Sequence, residues 1–597
     1  MERVCCGQFL CRCGYLCAVP SRKSLHGAVF IALLAVLAAL VPLPLTMVAR
    51  APVAAAQAMS ADEINEDLGV GINLGTALER PREGAGGLTL RESYFTEIAD
   101  VGFGHVRVPI RFNAYASETA PYEIPDGIDP TVPNADNLWD RIDWVIENAE
   151  RNDLYVILDA HMYDELSFDV AGERARFLSI WSQVAARYSG ASERVIFELL
   201  NEPQGQFNDN PSLLNTLIAD AVSVIRSSNP TRPVLVGPAY WNQIGALDAL
   251  ELPDDPNLIV SVHFYDPFDF THQGATWIDP VPSAPASFEP DLIGFGAGWQ
   301  DWSWGATAVP HSTSLQVRFQ GQWSGLAFGG PGSVAPASLQ FTVAGASELA
   351  VRCSVGDDDN LEIQRVVTTE SAKTFDVDMS NCPATTRSIN FMLVSQDVGP
   401  LDFYEIALCD TDGQCRQLIE SGEEAIASAF AQAAAWGSAN NRPINVGEFG
   451  VYGADGVADM DDRAMWTEMV TRAGQTHGFS MTYWEFGAGF GAYDVATNTW
   501  VEPLVAALLT KSTTVDGSLS MVVGDANCDS TLDIGDALAI AQFTVGSRRP
   551  VDDCSLELFG PEINERRADF DDDGTVDIGD ALKILQCAVG VGPEAQC

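Results

Sequence analysis

The sequence predicts an α/β fold: an eight-stranded (β/α)8 barrel of the TIM type, interrupted after its sixth strand by an inserted β-sandwich and followed by a small all-α module. Three observations predict it. From residue 69 to 284 short β-branched runs alternate with longer amphipathic stretches, the rhythm of a parallel sheet with helical crossovers. From about 287 to 416 that rhythm gives way to period-2 alternation punctuated by glycine and proline, as in an antiparallel sandwich. From 418 the first pattern returns, and beyond 523 a twelve-residue acidic loop occurs twice.

The elements follow in chain order. Arg12, Arg22 and Lys23 precede an apolar run over 28–41, and Ala56-Gln57-Ala58 offers a small-x-small cleavage site. Residues 1–58 therefore read as an export signal, with Pro42, Pro44 and the alanine-rich site favouring cleavage over an uncleaved membrane anchor. No other stretch is long and apolar enough to span a bilayer, so the expectation is a secreted chain without membrane attachment after cleavage. Strands are expected over 70–73, 105–109, 155–159, 195–201, 234–237 and 259–263, with helices over 138–151, 171–187 and 213–227. These form the first part of the barrel, 59–286. The insert is placed at 287–417. The barrel resumes over 418–510 with a helix over 419–438, a strand over 444–448, a helix over 463–477 and a strand over 481–484. A linker over 511–523 leads to the last module, 524–597.

Composition narrows the partners. Lys+Arg number 33 against 82 Asp+Glu, a net charge of −49, and only Lys23, Lys373, Lys511 and Lys583 are lysines. Such a surface repels nucleic acid and anionic membranes and suits a neutral substrate or a cation. After the signal eight cysteines remain: Cys353, Cys382, Cys409, Cys415, Cys528, Cys554, Cys587 and Cys597. An even count in an exported chain suggests disulfides, whose connectivity the sequence leaves open.

Two strings concentrate chemistry. Leu200-Asn201-Glu202-Pro203 and Val446-Gly447-Glu448-Phe449-Gly450 each close a β-branched run with a glutamate. A barrel that gathers strand ends at one mouth would face these carboxylates towards each other, the arrangement that cleaves a glycosidic bond. Their separation along the chain exceeds what three strand–helix units need, and the β-rich insert accounts for the excess. Around them Arg107 ends the second strand, His161 follows the third, Asn201 ends the fourth, His263 and Tyr265 close the sixth and Trp484 the eighth. One such residue is ordinarily structural. Eight at the working face of one barrel are hard to explain as packing.

With Gly71-Ile72-Asn73-Leu74-Gly75, these residues make the barrel resemble glycoside hydrolase family 5, the cellulase family of retaining two-glutamate barrels. The resemblance implies that Glu202 is the acid/base and Glu448 the nucleophile, with no cofactor for catalysis. It also implies that Asn201 bonds the 2-hydroxyl, that Arg107 and Tyr265 hold Glu448 ionised, and that His161 and His263 line the cleft. Trp484 would stack on a sugar ring, with Trp241 and Trp277 as candidates to extend the cleft. A β-1,4-glucan is the preferred polysaccharide; mannan, xyloglucan and β-1,3-glucan enzymes share the set. A non-catalytic glycan-binding protein would lack these residues.

In the insert Trp299, Trp302, Trp304 and Trp323 fit either a sandwich core or sugar stacking, and the module looks like a carbohydrate-binding domain. The repeated loops resemble the calcium loops of dockerin modules. Oxygens of Asp525, Asn527, Asp529, Asp533, Asp536 and the Thr531 carbonyl would hold one Ca²⁺. Asp569, Asp571, Asp573, Asp577, Asp580 and the Thr575 carbonyl would hold a second. Ser530 stands where the second loop has the turn glycine Gly574, and both copies carry Ile-Gly near the loop end, so a cohesin-bearing scaffold is the implied partner but not its class.

Overall fold

The computed structural model describes residues 59–127, 137–356, 360–396, 399–411 and 413–509. The export signal, the linker and the repeat module with all its candidate calcium ligands lie outside the described residues.

Eight parallel strands close into a barrel in chain order: Val70–Asn73, His105–Ile110, Tyr155–Ala160, Val195–Glu198, Val234–Val236, Leu258–Phe264, Ile444–Phe449 and Ser480–Tyr483. Apart from Val70 every residue in them is buried. Strands covered on both faces are largely apolar, which is why they read as β-branched runs broken by a few buried polar residues. Helices wrap the outside. Leu138–Arg151 buries Ile142, Val145, Ile146 and Ala149 along one stripe. Val170–Arg187 starts where the Asp169 side chain accepts the Gly172 N–H, and Pro211–Arg226 starts on a proline that has no N–H to leave unpaired.

A helix the sequence reading did not anticipate, Ala61–Leu68, packs Ala61, Ile64 and Leu68 against Tyr155, Ile157, Ile196, Leu235 and Ile259, residues at or near the starts of the strands. Its signal was the capping box Ser60-x-x-Glu63, in which each side chain accepts from the other residue's backbone N–H.

Two expectations are corrected. The fourth strand stops at Glu198 rather than 201, so Glu202 is carried by bent, irregular chain four residues beyond the strand. The helix expected over 419–438 is Gly422–Asn440; the capping box Ser421-x-x-Glu424 sets its start. Ile419–Ser421 is instead a strand, paired antiparallel with Ile293–Phe295.

Between the sixth and seventh barrel strands lie a five-stranded and a six-stranded antiparallel sheet. Leu326, Phe328, Leu339, Phe341, Val351, Ile389, Phe391 and Phe403 from both form one buried cluster. Cys353 pairs with Cys382 and Cys409 with Cys415, the connectivity the sequence left open for this group. This unit contacts the barrel through Arg387, which donates to the Tyr240 hydroxyl at 2.8 Å, and through an Arg416–Asp248 ion pair at 2.9 Å. Among the described residues no helix is long and apolar enough to cross a membrane.

Candidate active site

Arg107 organises the mouth. It sits on the second strand with no exposed surface and meets acceptors from four other strands or their ends. Its Nε donates to Glu198 at 2.6 Å, and its Nη1 to Asn73 at 2.9 Å and Glu448 at 2.8 Å. Its Nη2 reaches Asn201 Oδ1 at 2.7 Å and Asp159 at 3.0 Å. Burial alone would lower the guanidinium's pKa; Asp159, Glu198 and Glu448 more than reverse this and keep it charged.

Glu448 reaches this charge because its strand is bulged. Val446 pairs with Val262 and Glu448 with His263, leaving Gly447 as an extra residue. A Cβ there would lie 2.5 Å from Ser261 Oγ and 3.1 Å from His263 Nε2, so the bulge has room only for glycine. The second oxygen of Glu448 accepts from the Tyr265 hydroxyl at 3.0 Å. Glu202 faces it: one oxygen of each carboxylate and a ring nitrogen of His263 lie within 4.8 Å of one another. Both oxygens of Glu448 are engaged, by Arg107 and Tyr265, while Glu202 is held by His263.

The histidines are neutral partners. His263 Nδ1 lies 2.8 Å from Glu202, and its Nε2 lies 3.4 Å from the Asn242 amide nitrogen. The amide donates to Nε2, which puts the ring proton on Nδ1, pointing at Glu202. Burial lowers the His263 pKa to about 4. His161 binds Asp159 at 2.6 Å through Nδ1 and stacks on Trp484, with ring centroids 5.6 Å apart and planes 7° from parallel. Its pKa is also lowered by burial, whereas burial raises that of Asp159 to about 7.

The two glutamates differ in environment. The side chain of Glu202 is 28% exposed at the cleft surface, and removal of its carboxyl from water pushes the pKa up to about 7 despite the positive potential of Arg107. Burial raises Glu448 as well, but that group accepts directly from a guanidinium and a phenol, which favour its charged form.

All eight strand-end residues singled out in the sequence thus converge: Arg107, His161, Asn201, Glu202, His263, Tyr265, Glu448 and Trp484. Trp241 and Trp277 lie on the rim, 41% and 57% exposed. The backbone N–H of Trp241 is bonded to Pro203 at 3.1 Å, and Trp277 stands edge-on to Tyr452 at 4.9 Å. Sequence reasoning missed Asn73, Asp159, Glu198 and Asn242, which hold the first group in place. It also missed Glu79 and Glu485, a second buried carboxyl pair beside Trp484. Burial and the nearby Glu79 push Glu485 up to about 8. The available signal was a polar residue inside an apolar strand, as in Val195-Ile196-Phe197-Glu198.

Residues 81–293 match the model of the cellulase family, glycosyl hydrolase family 5. Endoglucanase H of Acetivibrio thermocellus is 34% identical over 227 residues, 38% of this chain and 24% of that protein. Cellodextrinase A of Ruminococcus flavefaciens is 30% identical over 216 residues, 34% of this chain and 59% of that protein. The chain therefore spans about a quarter and three fifths of the lengths of these two relatives. In structure, a hyperthermophilic endo-β-1,4-glucanase solved with substrate superposes with a TM-score of 0.51 at 29% identity, covering 76% of this chain and all of that one.

A carboxyl whose folded-state pKa near 7 exceeds its ordinary 4.5 holds its proton more tightly when folded. The stability linked to it is full below pH 4.5 and is lost as pH rises through 7. Glu202→Gln, which cannot ionise, is expected to melt above the parent at pH 8, with the gap closing towards pH 4.5. Melting temperatures across that range check this, and equal melting at pH 8 would show that Glu202 titrates normally.

Proposed function

We propose that the chain is a secreted, retaining glycoside hydrolase that cuts β-1,4-glucan chains internally. The observation that carries this is the carboxyl pair: one oxygen of Glu202 and one of Glu448 within 4.8 Å, the two groups differently partnered. Retention by double displacement calls for carboxyl groups about 5–5.5 Å apart, whereas inversion needs ~6.5–9.5 Å to admit a water.

In the first step a Glu448 oxygen attacks the anomeric carbon while Glu202 gives its proton to the departing glycosidic oxygen, leaving a glycosyl ester on Glu448. In the second, Glu202 takes a proton from water, which attacks the same carbon and frees Glu448. A pKa near 7 suits a group that must be an acid first and a base afterwards. Arg107 and Tyr265 keep the attacking carboxylate charged and aimed. Arg107 also fixes the Asn201 amide by its oxygen; the Asn201 N–H₂, 3.4 Å from His161 Nε2, has a second hydrogen for the sugar's 2-hydroxyl. Trp484, backed by the His161 ring, presents a flat face for a pyranose, and Trp241 and Trp277 extend the cleft along the chain.

The remaining parts serve delivery. Residues 1–58 direct export, and the unit at 287–417 is a β-sandwich of the carbohydrate-binding kind that splits the barrel into 59–286 and 418–510. The repeat at 524–597, joined by the linker 511–523, takes two Ca²⁺ and docks on a cohesin-bearing scaffold.

Hydrolysis of carboxymethylcellulose, lichenan, glucomannan and xyloglucan tests the function. Glu448→Gln is expected to lower kcat by roughly 10³-fold or more. Glu202→Gln should do the same on polysaccharide but far less on an aryl cellobioside whose leaving group needs no proton. The parent's kcat/KM should fall as pH rises above about 7, when Glu202 loses its proton. Activity that survives Glu448→Gln would refute the mechanism, and cleavage of mannan alone would refute the substrate.

Calcium titration of the full chain by calorimetry is expected to find two sites, with Asp525→Ala and Asp569→Ala each removing one. No calcium-linked heat would refute the assignment of the tail.

A further inference from the structure

The five-stranded sheet of the inserted unit ends in a short edge strand whose flanking residues carry two tryptophans in an unusual posture. Gln300 and Asp301 pair antiparallel with Gly329 and Phe328, and the pairing continues through Trp302 N–H to the Ala327 carbonyl and both ways between Trp304 and Gly325. Leu326 and Phe328 point into the core, so Gly325, Ala327 and Gly329 form the outward row of the neighbouring strand. Opposite that row, on the same face, stand Gln300, Trp302 and Trp304.

The indoles lie flat on the row. A Cβ on Gly329 would fall 2.0–2.4 Å from three ring atoms of Trp302, and one on Gly325 would fall 2.4–2.8 Å from three ring atoms of Trp304. Only glycine lets the rings settle there. Each ring therefore covers main chain with one face and keeps the other in solvent: Trp302 is 45% and Trp304 40% exposed. Trp304 is pinned further by its Nε1, which donates to the Trp323 carbonyl at 2.7 Å, and Trp323 itself is 50% exposed. Trp299, by contrast, is buried in the core. A large aromatic held flat and half in water gains little for folding that a core position would not give better.

The surroundings define what such faces fit. Gly325 and Gly329 are four residues apart on one strand, so the two ring faces are roughly 13 Å apart in a line. Exposed Gln300 shares their face, and Asp301 and Gln322 are exposed nearby in the chain, hydrogen-bonding groups rather than further apolar side chains. No lysine or arginine occurs within 299–305 or 320–330; Arg352 and Arg365 share this face only two and three strands away, Arg365 paired with Glu348 and Glu362, and the chain as a whole carries −49 charges, which disfavours an anionic ligand. A neutral, extended molecule with apolar faces and a hydroxyl rim matches this surface, and a pyranose chain has both.

We propose that Trp302 and Trp304, laid over Gly329 and Gly325, form a second glycan-binding site that holds a β-1,4-glucan chain apart from the cleft. The ligand class rests on the function proposed for the barrel; the platform itself rests on its own geometry. It binds by stacking and performs no chemistry, so it acts on polymer that spans more than one ring and leaves short soluble substrates unaffected.

The test uses the full chain carrying Glu448→Gln, so that bound polymer is not consumed. Trp302→Ala with Trp304→Ala is expected to lower affinity for microcrystalline cellulose about tenfold or more. In the active chain the same pair should leave kcat/KM on cellopentaose within twofold and slow hydrolysis of insoluble cellulose. If the alanine pair melts early, Trp302→Tyr with Trp304→Tyr keeps flat rings over both glycines and should restore melting and binding together. Cellulose retention unchanged by the alanine pair would overturn the platform, as would loss of retention in a well-folded tyrosine pair. Failure of the two readings is separable: hydrolysis of soluble glucan without platform-dependent retention refutes only the platform. Platform-dependent retention without hydrolysis refutes only the barrel's function.

Discussion

Arg107 puts a positive charge inside the closed barrel, where an unpaired ion would cost several kcal/mol even after relaxation, so each of its donors must meet an acceptor. The acceptors come from the first strand (Asn73), the third (Asp159), the fourth (Glu198), the chain beyond the fourth (Asn201) and the seventh (Glu448). The guanidinium thus ties together elements far apart in sequence, and the planar fork fixes their angles as well as their distances. Three carboxylates against one guanidinium leave net negative charge in a dry place. Burial raises the Asp159 pKa to about 7, and its oxygen is shared with His161. Glu448 keeps the direct contact, which favours its charged form.

The same burial that makes the mouth reactive makes it costly. Glu202 and Glu485 are carboxyls whose pKa values burial lifts to about 7 and about 8, and His263 is held neutral with its pKa near 4. None of these environments is one a stability-optimised protein would choose. The bulge at Gly447 belongs with them: it interrupts the ladder between the sixth and seventh strands to turn one side chain inward. The Ala61–Leu68 helix and the all-buried strands supply the compensating apolar contact at the other end and around the wall.

The barrel was legible because its strands are buried on both faces and so appear as largely apolar, β-branched runs between amphipathic helices. Its eight mouth residues were legible because strand ends declare themselves. The residues that hold them were not. Glu198 and Asp159 sit within apolar strands, where alternation gives no hint of which neighbour will pair with them, and Asn73 closes the first strand with no charge to mark it. The end of the fourth strand was placed three residues late because Leu199 and Leu200 continue the apolar run while the ladder stops. The helix beginning at Gly422 was placed early because Ile419 is apolar in phase, although Ser421 and Glu424 spell its start. In the insert, alternate tryptophans suggested core or ligand equally; only the glycines beneath Trp302 and Trp304 distinguish the two.

The inserted unit contacts the barrel through Arg387 and Tyr240, two residues before Asn242, which steadies His263 and thereby Glu202. The proposed reaction depends on Glu448 acting as the nucleophile. Proton NMR of the first product released from a cello-oligosaccharide, recorded before mutarotation, tests this directly. The account predicts that the new reducing end appears as the β-anomer; an α-anomer would mean that water attacks in a single step and would contradict it.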